Sequence, residues 1–123
     1  MNAVAPLPAA AVVYEVSVFV QRAIESEYRA WLDAHVREIL RLPGFVDASV
    51  FECLEPGANS DEFGLCVHYR LSDEAALAAY LRDHAPRLRA AGNTRFGTGF
   101  RAERRILRPC TNYWASPPAI TAA

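Results

Sequence analysis

From Tyr14 to Val20 the chain reads Tyr-Glu-Val-Ser-Val-Phe-Val, with apolar residues at every second position. That is the period of a strand with one covered face. The spacing then changes. Tyr28, Trp31, Leu32, His35, Ile39 and Leu42 recur at three- and four-residue steps, which predicts a helix closed by Pro43-Gly44. A second strand is expected from Phe45 to Leu54, and a loop from Glu55 to Glu62, carrying Pro56-Gly57 and Asn59, joins it to a third as a hairpin. The cycle repeats: a strand over Phe63 to Tyr69, a helix marked by Leu77, Tyr80, Leu81, His84 and Leu88, and a strand from Gly99 to Leu107. Ser72 is the expected N-cap of the second helix, with Asp73 and Glu74 in its first turn. Pro86 should kink or restart that helix, and Gly92 should stop it.

The two cycles are one unit written twice. At an offset of 49 residues Tyr14 falls on Phe63, Val16 on Leu65 and Val18 on Val67, and the same offset sets Trp31 on Tyr80 and His35 on His84. The order βαββαβ predicts an α+β domain of the ferredoxin-like, split β-α-β type: an antiparallel four-stranded sheet with two helices on one face. This domain is expected over residues 13–108. Residues 1–12 read as a disordered Ala/Pro-rich tail and 109–123 as an irregular Pro-rich tail, in which Tyr113 and Trp114 are large rings in need of cover.

Strand parity divides the sheet. Tyr14, Val16, Val18, Val20, Leu65, Val67, Tyr69, Val46, Ala48, Val50, Phe100, Ala102 and Ile106 fall on the side assigned to the helices. The other parity is mixed, holding Phe19, Phe51, Cys53 and Cys66 among Glu15, Asp47, His68, Arg70, Arg101 and Arg105. A bare face rarely carries such rings, and a wholly buried one rarely carries such charges. A homodimer through this sheet face, with charges paired or at the rim, reconciles the two.

Composition narrows the chemistry. The 123 residues suffice for one domain, and 22 of the apolar residues are alanine, so the core rests on Val, Leu, Ile and 13 aromatics. A net charge of −1 lacks the footprint of a general nucleic-acid binder. All 13 basic residues are arginine; without lysine, Schiff-base and P-loop chemistry are excluded. Residues 1–86 hold 13 acids and six arginines, whereas seven arginines and one acid follow, a polarity suited to self-association. Cys53, Cys66 and Cys110 form no CxxC pair, so neither a disulfide framework nor a cysteine zinc site is expected; a reducing, cytoplasmic setting fits. The apolar stretch before residue 14 lacks a basic leader and is broken by Pro6 and Pro8, so no membrane association is expected.

Two groups of residues suggest binding. Trp31, His35, Tyr80 and His84 sit at equivalent places on the two helices and would line a cleft between helices and sheet. Such imidazoles also occur as hydrogen-bonded groups at a core edge, and without Cys or Glu companions they do not predict a metal. His68 and Arg70, beside Glu15 and Ser17, form the second group, which reads as an ion-paired interface ahead of an acid-base constellation. No cofactor is expected.

The stretch Tyr80-Leu-Arg-Asp-His-Ala-Pro-Arg-Leu-Arg89, with Arg95-Phe-Gly97 and Arg104-Arg-Ile-Leu107, resembles a small bacterial family of unknown function; Tyr14-Glu-Val, Trp31, His35 and Pro43-Gly-Phe45 are its further marks. The resemblance covers roughly residues 13 to 108. It implies a dimeric α/β barrel, two ferredoxin-like subunits packed sheet to sheet, and it supplies no activity. The expected function is therefore binding of a small, partly apolar or acidic ligand in the cleft. A cofactor-independent monooxygenase-like enzyme using the same cleft, with a histidine as base, is the alternative.

Overall fold

A computed structural model describes residues 3–5, 11–55, 57 and 60–116, the first three by backbone alone. Four strands form an antiparallel sheet: β2 (Val12–Gln21), β3 (Phe45–Cys53), β4 (Glu62–Leu71) and β5 (Phe100–Leu107), in the order β3-β4-β2-β5. This is the expected ferredoxin-like arrangement. The repeat-equivalent strands β2 and β4 are the central pair, with Tyr14 opposite Tyr69, Val16 opposite Val67 and Val18 opposite Leu65.

Helix α1 (Glu25–Ile39) buries Tyr28, Leu32 and Ile39 against the sheet. The second helical segment is two helices, α2 (Glu74–Asp83) and α3 (Ala85–Phe96), meeting at His84. Pro86 stands in the first turn of α3, where its missing N–H costs nothing, so the chain restarts there as expected. Leu77, Tyr80, Ala85 and Leu88 join Val12, Leu65, Val67 and Leu71 in one core between helices and sheet.

Several local expectations are corrected. Asp73, not Ser72, caps α2: its carboxylate accepts from the Ala76 N–H at 2.7 Å. Gly92 does not end α3, which runs on to Phe96; it is buried where a Cβ would stand 3.0 Å from the Trp31 ring, so its role is close approach. A bulge between Phe45 and Asp47 takes Val46 off the helix side and leaves it 59% exposed. Gly44 turns the chain into β3 at φ 86°, with its carbonyl accepting from the Ser72 N–H at 2.8 Å.

Of the hairpin loop, Pro56 and Asn59 lie outside the described residues, while the Gly57 carbonyl accepts from the Ser60 N–H. Most of the two tails also lies outside them. In the described parts, β1 (Ala3–Ala5) and β6 (Asn112–Trp114) pair antiparallel with Val4 opposite Tyr113, so a strand stands in each tail where a disordered and an irregular segment were expected. Among the described residues no helix is long and apolar enough to cross a membrane.

Candidate functional site

The cleft lies between α1, α3 and the helix side of the sheet. Its interior free volume is about 60 Å³, so the side chains that line it nearly fill it. Helix α1 supplies Tyr28, Trp31 and His35, one turn apart on its inner face; α2 supplies Tyr80; α3 supplies Arg89 and Asn93; β2 and β4 supply Tyr14 and Tyr69.

Rings make its walls. Trp31 and His35 stack with centroids 4.4 Å apart, and Tyr28 packs against Trp31, Phe96 and Phe100 at 5.0–5.6 Å. On the other side Tyr14 meets Tyr80 edge to face at 5.9 Å, and Arg89 donates to the Tyr14 hydroxyl at 2.9 Å. Burial pushes the Tyr28 and Tyr80 phenols up to about 12, so both stay protonated hydrogen-bond donors near neutrality. His35 is held below the ordinary histidine value, chiefly by burial, with Glu38 opposing the shift and Arg104 adding to it.

Arg104 is the residue that sequence reasoning missed. It shares the parity of Phe100 and Ala102 on β5 and lines the cleft, where its charge bears on Tyr28, Tyr69, Tyr80 and His35. Among the described residues it makes no salt bridge, whereas neighbouring Arg105 and Arg108 pair with Glu15 and Glu74. The signal was available: parity aims residue 104 between Ala102 and Ile106, and a charge at an inward position is a reason to suspect a site.

Of the expected cleft residues, Trp31, His35 and Tyr80 are brought together and His84 is not. His84 sits at the junction of α2 and α3 with φ −127°, and its Nδ1 lies 2.9 Å from Arg87 Nη2. The break that Pro86 imposes turns it away from the position its repeat partner His35 occupies.

His68 and Arg70 lie on the opposite face of the sheet, which no helix covers. Glu15, only 8% exposed, is the centre of that face. Its Oε2 lies 2.8 Å from His68 Nε2, and its Oε1 accepts from Arg105 at 2.7 Å. The Arg105 hydrogen bond is the main cause holding the Glu15 carboxyl below its usual range. Arg70 pairs with Asp47 across β3 and β4, and the Arg101 guanidinium covers the Phe19 ring at 4.1 Å. Burial pushes the Cys66 thiol up, and Cys53, Cys66 and Cys110 form no disulfide.

Sheet order and helices on one side define the class: a ferredoxin-like α+β domain, here with a narrow cleft walled by rings and aliphatic side chains. The chain belongs to the family described as a domain of unknown function, DUF4286, which matches residues 11–110. No curated protein sequence matches it. Among solved structures it is similar to a conserved protein from Methanosarcina mazei, with TM-score 0.61 and 20% identity over 81% of this chain and 93% of that one. It is also similar to SnoaB, a cofactor-independent oxygenase from Streptomyces nogalater, with TM-score 0.58 and 18% identity over 80% of this chain and 93% of that one. A de novo designed protein, Foldit4, matches with TM-score 0.57 and 19% identity over 80% of this chain and 97% of that one. A designed protein among equals makes the point that this likeness is one of fold.

Proposed function

We propose that this domain is a homodimer that binds a small, flat, partly apolar acid in the cleft between helices and sheet. The observation that carries the reading is Arg104: a guanidinium without an acidic partner among the described residues, lining a cleft walled mainly by aromatic and aliphatic side chains. Exposed beside the cleft and free of an acidic partner there, such a guanidinium is available to an incoming anion, and a narrow space between rings suits a planar body. Arg89, the Tyr80 hydroxyl and Asn93 are further polar groups for orientation. Dimerisation is supported by the open sheet face, where Phe51 is 50% exposed beside a nearly buried Glu15. The three free thiols suit a reducing compartment such as the cytoplasm.

The test is native mass spectrometry of protein purified from its own source, followed by titration with aromatic acids, quinols and haem read by Trp31 quenching. An acidic aromatic ligand is expected, and Arg104→Gln should weaken it about tenfold to a hundredfold, the worth of a charged hydrogen bond. Equal affinity of Arg104→Gln and wild type would overturn the assignment.

One observation favours a second reading. His35, kept neutral near pH 7 by burial, is a base within the same cleft, so a quinol held there could lose its phenolic proton to it and react with oxygen. Oxygen uptake with the quinol panel, abolished in His35→Ala, separates turnover from binding.

A further inference from the structure

We infer that the open face of the sheet carries a divalent-metal site of the zinc class, with Glu15, Cys66 and His68 as its three protein ligands. This site lies across the sheet from the cleft, so it stands or falls independently of the cleft ligand, and it shares its face with the proposed dimer contact.

Glu15 on β2 is directly opposite His68 on β4, and Cys66 stands two residues before His68 on the same face. The donor oxygen, sulfur and nitrogen all lie within 4.8 Å of one another. In a tetrahedral zinc site such atoms stand roughly 3.3–3.6 Å apart, by the usual bond lengths. Closing around an ion therefore takes side-chain adjustments on the order of an ångström, on two hydrogen-bonded central strands that hold the backbone fixed.

The carboxylate is already divided between two tasks. Arg105 takes Oε1 through both Nε and Nη2 at 2.7 Å, which leaves Oε2 directed at the His68 ring nitrogen. An anchored carboxylate with one free oxygen is what an outer-sphere partner provides at a metal site. Ser17 Oγ lies 3.7 Å from Cys66 Sγ, placed to donate to a thiolate, and Phe51 packs edge-on against the His68 ring at 5.2 Å. The nearby Arg70 charge is offset by Asp47.

The donor set selects the ion. Thiolate and imidazole together suit zinc and its neighbours in the first transition row, whereas magnesium and calcium take oxygen. On binding, the thiol gives up its proton to solvent; thiolate and carboxylate then face the ion and the Arg105 guanidinium, and the one positive charge left over is balanced by an anionic fourth ligand such as hydroxide. Three protein ligands leave a fourth position for water or an incoming group. A search for CxxC spacing does not see this arrangement, because sheet register rather than sequence proximity assembles it.

Cobalt(II) is the probe. Titrated anaerobically into the reduced, chelator-treated full-length chain, it should raise a thiolate-to-cobalt band in the near ultraviolet that saturates at one ion per chain and is bleached by zinc. Cys66→Ala and His68→Ala should each lose at least tenfold in affinity, while Cys53→Ala and Cys110→Ala keep the wild-type titration. Absence of the band, or its persistence in Cys66→Ala, overturns the site. Alkylation mapped by mass spectrometry needs no variant: zinc should slow labelling of Cys66 in the wild-type chain and leave Cys110 unaffected, and equal slowing or none would count against it.

Discussion

Trp31 and His35 lie ring on ring, one turn apart on α1, with 18° between their planes. The stack fixes the imidazole against the cleft wall and shields it from water, which is why its proton is held weakly. An imidazolium quenches an indole it touches. In a Trp114→Phe background, Trp31 emission should fall as the solution is acidified, with a midpoint below the ordinary histidine value of about 6.5. A midpoint at or above that value would show that burial does not govern His35.

The same proton has a stability consequence. With the folded pKa depressed, the unfolded chain binds more protons below about 6.5, so stability rises with pH through the window beneath that value. Replacing His35 by Asn should flatten this part of the profile. Urea midpoints compared between pH 5 and 7.5 would reveal it, and an unchanged slope would assign the dependence elsewhere.

Gly44 combines a left-handed backbone with a Cβ position 2.3 Å from the Ala76 Cβ. Gly44→Ala must meet both penalties, so a loss of about 3 kcal/mol is expected in chemical denaturation. A loss below about 1 kcal/mol would mean that the turn and α2 separate easily.

The cap of α2 gives a paired comparison. Asp73→Ala should cost about 1 kcal/mol through the lost bond to the Ala76 N–H, while Ser72→Ala stays within a few tenths. The reverse ranking would move the helix start back by one residue.

For the sheet face, light scattering at micromolar concentration should give twice the chain mass of 13.6 kDa. Phe51→Asp places a charge on a half-exposed ring position and should yield monomer without loss of fold. A monomeric wild type would leave the exposed rings to some other partner and end the dimer reading.

Strand alternation and the 49-residue offset were enough to read the sheet, because residues such as Val16 and Val67 are tied to their faces by the two-residue period. The cleft was legible on its helix walls for the same reason: Trp31 and Tyr80 follow helical spacing. What escaped was set by local events that a periodic reading passes over. The bulge after Phe45 displaced Val46, and the restart at Pro86 separated His84 from His35. Arg104 was passed over because its charge argued against the face that its parity assigned. The Glu15–Arg105 contact joins residues 90 apart in the chain, and only strand order brings them together.

Gly92 also gives the cleft a fixed gauge. Because main chain, not a side chain, faces Trp31 at that point, the indole alone is the spacer between α1 and α3 there. Exchanging Arg104, His35 or Tyr80 therefore leaves that contact untouched, so the polar lining of the cleft can vary between related chains while its width at Gly92 is kept.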